Sequence, residues 1–318
     1  MKKYTPFDPA AVSTYSITSR NNKVTVGEHF ATPPRAGGSF ADFYDSLPRL
    51  LGAESLRNVV EAVVAARRAD RPVVLAIGGH VIKCGLQPVL KALIEANVIT
   101  AVAMNGSAAI HDYEVSLIGA TSEDVGAVLH AGDFGFSEET GSGINRALKA
   151  ALPEGIGFGQ AIGRSIVANN HEFKDYSLLA TCVAHEIPVT VHVAIGTDII
   201  HQHPEFDGAV TGEMSARDFR MLTSVVADLS GGVWLNVGSA VIMPEVFLKA
   251  LSIAQNLGFH VSGFTTANFD MIQQYRPMQN VVKRPASGDG HGYVVTGHHE
   301  INIPLLAAAI LDRWHADR

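Results

Sequence analysis

Two cysteines, Cys84 and Cys182, are all that the 318 residues carry. That is too few for the disulfide framework of a secreted domain, and it reads as two buried free thiols on helices in a reducing cytoplasm. No run approaches the roughly 18 apolar residues of a membrane span. The opening MKKYTPFDPAAV has two lysines with no apolar stretch behind them, so no signal peptide is expected. Basic stripes interleaved with aromatics are absent and the formal net charge is -7, so nucleic acid is not an expected partner. No glycine fingerprint for a dinucleotide follows a strand-like run. The glycine-rich stretch Gly155–Gly163 follows a helix-like segment ending near Leu152 and reads as a structural loop. The HExxH spacing of metalloproteases is missing, and Ser165 lacks the second flanking glycine of a nucleophile elbow.

What is present is apolar material, 47% of the chain against 17% charged, enough for a large core. Residues 1–48 are polar and broken by Pro33-Pro34 and Gly37-Gly38, which suggests an extended arm packing on a partner subunit. Residues 49–318 read as a single domain. There, short apolar runs at Val73–Ile77, Thr100–Met104, Val189–Ile195, Val233–Val237 and Phe259–Phe264 alternate with amphipathic stretches. The helices expected are Ser55–Ala69, Leu86–Ala96, Glu138–Ala150, Asp175–Glu186, Pro244–Leu257 and Ile303–Trp314. Largely apolar strands covered by helices predict an α/β fold, a doubly wound, mostly parallel Rossmann-like sheet with helices on both faces.

Each expected strand ends in small or hydroxylated residues: Gly78-Gly79-His80, Asn105-Gly106-Ser107, Gly196-Thr197-Asp198, Gly238-Ser239 and Thr265-Thr266-Ala267-Asn268. Small residues let a ligand approach the backbone, and ligands of open α/β sheets bind beyond the carboxyl ends of strands. Five such turns point to one crevice for a small molecule. Among the 14 histidines, clusters stand at His111-Asp112 with Glu114, at His201 and His203 after Asp198, and at His291 with His298-His299. Histidine titrates near neutral pH, which suits proton transfer. His-x-His beside carboxylates also suits a divalent metal, and so leaves open a metal-dependent hydrolase. Glu138-Glu139 reads as a helix start complementing the helix dipole.

Taken together, VLAIGGHVIKCGL, AVAMNGSAAIHD, HEIPVTVHVAIGTD, WLNVGSAVIMPEVFLKALSIAQNLG, SGFTTANFD and TGHHEINIPLLAAAIL resemble, in order and content, the cofactor segments of deoxyhypusine synthase, over roughly residues 70–314. The resemblance implies a NAD-binding α/β domain and a homotetramer with active sites between subunits. It implies cofactor contacts at Gly78, Gly79, Asn105, Gly106, Asp198, Gly238, Ser239, Thr265, Thr266, Ala267, His298 and His299. The family captures an imine on a lysine placed beside the nicotinamide. That position falls on Pro285 here, with Lys283 two residues away. The family's nearby glutamate becomes Gln279, and its histidine after the glycine turn gives way to Ile242-Met243-Pro244. The expectation is therefore an NAD-dependent enzyme acting on a small amine or hydroxyl substrate, not an authentic deoxyhypusine synthase. His111, Asp112, His201, His203 and Lys283 are the candidates for chemistry. A catalytically silent NAD-binding protein is the remaining alternative.

Overall fold

The computed structural model describes residues 3–315. Six strands form one sheet in the order β3-β2-β1-β4-β5-β6, every neighbouring pair parallel. They are β1 (Val73–Ile77), β2 (Ala101–Asn105), β3 (Val189–His192), β4 (Val233–Val237), β5 (Thr265–Asp270) and β6 (His291–Thr296). The order reverses between β1 and β4, as in doubly wound dinucleotide-binding sheets.

Side chains alternate across the sheet, and the alternation builds two cores. Val73, Leu75 and Ile77 of β1 join Val233, Leu235 and Val237 of β4 in the larger core. It is covered by α2 (Leu51–Arg68), α5 (Gly106–Ile118), α8 (Leu178–Ala184) and α11 (His299–His315), among others. Val74, Ala76 and Trp234 point the other way, into a smaller core under α9 (Gly208–Ala227) and α10 (Ile242–Asn256). Trp234 and Phe247 stack there with ring centroids 4.1 Å apart, a contact worth about 0.5–1.5 kcal/mol beyond its buried area. α1 (Phe40–Ser46) is held to the body by Arg57, which donates to the carbonyls of Tyr44 and Leu47 at 2.8 Å each. Residues 3–27, before it, are exposed throughout.

Four expected strands lie where the apolar runs put them, and the fifth does not. Phe259–Phe264 is no strand: Gly263 is left-handed at φ +63° and Phe259 is exposed. The polar stretch TTANFD, expected as a loop, is itself β5. Its polar side chains are satisfied in place. Thr266 donates to the carbonyl of Val281 at 2.8 Å, and Asn268 accepts from Asn236 at 2.7 Å and donates to Gln273 at 2.7 Å. The expected loop Gly155–Gly163 largely becomes α7 (Phe158–Ala168). Its glycines allow close packing, since a Cβ on Gly159 would lie 2.4 Å from the carbonyl oxygen of Val189. Cys182 is buried, whereas Cys84 is half-buried, and both are free. Among the described residues, no helix is long and apolar enough to cross a membrane.

Candidate functional site

Because all six strands run one way, their carboxyl ends share one edge of the molecule. Gly78 and Gly238 end the adjacent strands β1 and β4, at the point where the strand order reverses. A Cβ on Gly78 would lie 2.1 Å from the carbonyl oxygen of Gly238. One on Gly79 would meet Ser107 Oγ at 2.2 Å, and one on Gly106 would meet Asp198 Oδ2 at 2.1 Å. Gly238 is left-handed at φ +65°, and a Cβ there would lie 2.8 Å from His299 Nε2. The room left by these glycines is thus filled by this chain's own polar atoms. The turns interlock and carry Ser107, Asp198 and His299 to the strand ends.

His299 is buried and its Nδ1 has no hydrogen-bond partner. Burial pulls its pKa down, with Asp270 opposing and His80 adding to the effect. The rings of His80 and His299 lie 5.9 Å apart. His298 is exposed, 3.7 Å from Glu300. Asn105 and Ser239 serve as helix caps: Asn105 Oδ1 accepts the Ala108 N–H at 2.9 Å, and Ser239 Oγ accepts the Met243 N–H at 3.2 Å. Beneath the Gly238 turn, Asn236 donates to Asn268 at 2.7 Å and to the Ser239 carbonyl at 3.0 Å.

Beside this ring lies a cleft of about 530 Å³, between α5, the loop after it, the start of α6 (Glu138–Ala151) and the turn after β3. His111, Glu114, Thr121, Thr140 and Asp198 supply its polar wall, and Ile110, Val125, Phe134 and Ile199 its apolar one. His111 and Glu114 are three residues apart on α5, hence on one face, with Nδ1 and Oε2 separated by 3.6 Å. Gly119 ends α5 in the left-handed conformation, φ +69°, and turns the chain back so that Thr121 reaches both. His111 Nδ1 is 2.7 Å from Thr121 Oγ1, which donates to Glu114 Oε2. Thr140 donates to Glu114 Oε1 at 3.1 Å. Burial pushes the Glu114 carboxyl up, but the neighbouring His111 and hydrogen bonds from Thr121 and Thr140 outweigh it and hold the group below the usual carboxylate range. Asp198 is different. Burial pushes it up to about 6 against the Thr197 hydroxyl and the His111 charge, and Oδ2 has no partner.

Several expected site residues lie elsewhere. Asp112 is fully buried and outside the cleft, accepting from the Ser177 hydroxyl at 2.6 Å and the Leu178 and Leu179 amides at 2.8 and 3.1 Å. It caps α8. His201 folds back on its own turn, its Nδ1 accepting the Gly196 N–H at 3.1 Å. His203 fills the space beside Gly141, where a Cβ would lie 2.3 Å from its ring, and sits 3.5 Å from Glu138. Thr265, Thr266 and Ala267 open β5, so they stand at the amino end of the sheet rather than at the crevice. Lys283 stands at that end too. It closes the π-turn Met278–Lys283, which packs on the second residues of β5 and β6 through Val281 and Val282. A six-residue strand spans roughly 20 Å, which separates Lys283 from the strand ends.

The metal reading lacks a ligand set. β3, which leads to His201 and His203, and β6, which leads to His298 and His299, are opposite edges of the sheet, roughly 24 Å apart at about 4.8 Å per strand. Among the described residues, no group of three or more His, Cys, Asp or Glu could hold a metal ion. Sequence reading missed the part played by Thr121. The glycine that returns it, Gly119, was the available signal.

No protein-family profile matches the chain, and no curated protein matches it. Solved structures do. A mutant of AgrE bound to L-arginine aligns with TM-score 0.53 and 15% identity over 81% of this chain and 32% of its own. A LOR/SDH protein from Methanococcus maripaludis S2 aligns with TM-score 0.50 and 16% identity over 83% of this chain and 70% of its own. A protein described as a deoxyhypusine synthase, from Entamoeba histolytica, aligns with TM-score 0.50 and 8% identity over 86% of this chain and 94% of its own. The chain spans about a third of the length of AgrE and of ArgZ, an arginine dihydrolase of cyanobacteria. At these identities the likeness is one of architecture, and the chain shares a deoxyhypusine-synthase-like, LOR/SDH-like fold.

Proposed function

We propose that this protein binds a nicotinamide dinucleotide across the β1/β4 crevice and is an NAD-dependent enzyme acting on a small amine or hydroxyl substrate. The observation that carries the reading is the junction at the reversal of strand order, where two side-chain-free turns meet beneath a buried histidine with an unpartnered nitrogen. These residues fit the group. Gly238 leaves half-exposed backbone at the crevice floor, His299 Nδ1 offers an unused polar atom, and Asp198 offers an unpartnered carboxylate oxygen. AgrE, of similar fold, has been crystallised with ornithine and NAD+, which supports the cofactor assignment.

When bound, the dinucleotide supplies a hydride acceptor. The chain's own residues do the remainder. His111 takes a proton from the substrate, the apolar wall of Ile110 and Phe134 excludes water, and Asp198 orients the polar end of the ligand. The lysine chemistry of authentic deoxyhypusine synthases is not part of the proposal, since Pro285 replaces that residue and Lys283 stands at the far end of β5 and β6. We further propose a homo-oligomer in which the exposed residues 3–27 act as the arm; the boundary expected at residue 48 moves back because Tyr44 of α1 joins the larger core. The chain's free thiols suit a reducing cytoplasm.

Calorimetry of the purified protein with NAD+ tests the cofactor. Saturable binding is expected, weakened at least tenfold in His299→Leu with the fold intact. No heat at any concentration would remove the reading. Binding without turnover across a panel of amines and alcohols would favour a catalytically silent NAD-binding protein instead.

A further inference from the structure

We propose that Glu114 and Thr121 set the tautomer of His111 and thereby make its Nε2 the proton acceptor of the cleft. The inference rests on the cleft being the reaction site and assigns to two residues of its wall roles that act through His111.

The available hydrogens fix the tautomer. Thr121 has one hydroxyl hydrogen. Glu114 is an acceptor only, because its carboxyl is held below the usual carboxylate range and its two oxygens accept from the Thr121 and Thr140 hydroxyls. The Thr121 hydrogen is therefore committed to Glu114 Oε2. At 2.7 Å from His111 Nδ1, the same oxygen can then only accept, so the hydrogen of that contact belongs to Nδ1. A neutral imidazole carries one N–H, which leaves a lone pair on Nε2. That nitrogen makes no hydrogen bond to a described residue, and His111 lines the cleft. The opposite tautomer would place two acceptors, Nδ1 and Glu114 Oε2, around a single hydroxyl hydrogen.

The arrangement is rigid where it matters. Thr140 holds the second oxygen of Glu114 at 3.1 Å, so the carboxylate cannot swing away. Gly119 in the left-handed conformation fixes the return of Thr121. When Nε2 takes a proton from a ligand O–H or neutral N–H, the electron pair stays on the ligand heteroatom. Nδ1 keeps its hydrogen, and Glu114, 3.6 Å away, faces the resulting imidazolium. Glu114 and Thr121 are positioning residues. The ligand class is a molecule that presents a hydroxyl or an uncharged amine to Nε2.

Side-chain ¹⁵N NMR at about pH 8, above the ordinary imidazole pKa of about 6.5, reads the tautomer directly. The His111 signals are located by their loss in His111→Asn. The Nδ1–H pattern is expected in the wild type and in Thr121→Ser, which keeps the hydroxyl. Thr121→Val should shift His111 to a mixture or to the Nε2–H form, with circular dichroism unchanged. A wild-type spectrum showing the Nε2–H form overturns the proposal, as does a folded Thr121→Val with the wild-type pattern. If the valine variant does not fold, the wild-type spectrum decides alone. The measurement needs neither nucleotide nor substrate, so its failure is distinct from a failure to bind NAD+.

Discussion

Asp112 and Asp198 are carboxyls that burial pushes up to about 6, and their surroundings give them opposite meanings. Asp112 accepts three protein donors. Replacing it with asparagine turns one acceptor into a donor among donors, and we expect a loss of about 1–3 kcal/mol in urea unfolding. Asp198 has an oxygen with no partner. Its folded pKa lies above the unfolded value of about 3.9, so between those values the native state holds the extra proton. Stability therefore falls as pH rises through about 6. Asp198→Asn should be more stable than the wild type by about 1–2 kcal/mol at pH 8, the difference fading toward pH 4. Equal or lower stability at both values would show that the carboxylate is structural. Such a cost, in the turn after β3, is what the proposed ligand-orienting role of Asp198 would require. At this scale the sequence disclosed the pair His111 and Glu114, because three residues on a helix is a fixed geometry. It could not disclose that Asp112, one residue on, faces the core: in a chain read without its neighbours, a cap on α8 and a group for chemistry are the same aspartate.

At the scale of elements, the interlocked turns give a sharper test than any side chain. Gly78→Ala would set a methyl 2.1 Å from the carbonyl of Gly238. Neither strand end can move without breaking the ladder from Gly78 N–H to the Val237 carbonyl, 3.0 Å. We expect about 1–3 kcal/mol of destabilisation from overpacking, read as a lower urea midpoint, together with weakened NAD+ binding. Gly106→Ala meets the Asp198 side chain first, so it should perturb binding more than stability. An unchanged midpoint for Gly78→Ala would mean the turns are not in contact. The four strands that were legible in the sequence are runs of apolar residues. β5 was not, because Thr266 and Asn268 look like loop residues until Val281 and Gln273 supply their partners. β6 is an edge strand with exposed ends, and half-exposed edges carry a weak apolar signal. The long helix α9 was missed although it buries Leu222 and Val226. Its two glycines and scattered charges hid the apolar face, and much of its role is polar. Asp218 within it accepts the Gly159 and Val191 N–H groups at 2.9 and 2.7 Å, blocking the free edge of β3 as a neighbouring strand would.

For the whole molecule, the parallel sheet places every turn that matters on one edge and leaves one large anomaly at the amino terminus. Tyr4, Phe7, Tyr15 and Val26 are exposed by 76, 77, 74 and 73%. Burying a large apolar side chain contributes about 1.5–3 kcal/mol, so four left in water forgo a sum comparable to the stability of a domain. Helix α1 ties the chain to the body after this arm, through Arg57, which donates to the Tyr44 carbonyl and lies over the Tyr44 ring at 5.0 Å. Among the described residues, nothing of the same chain covers this arm. A second copy is the partner always present at matching concentration, and two copies can exchange arms by symmetry. Removing residues 1–24 should therefore lower the mass measured by light scattering toward that of a smaller assembly, while the thermal midpoint of the body changes little beyond the loss of association. Unchanged mass would place the subunit contact elsewhere. A chain that is already monomeric at full length would leave the exposed aromatics for a partner of another kind.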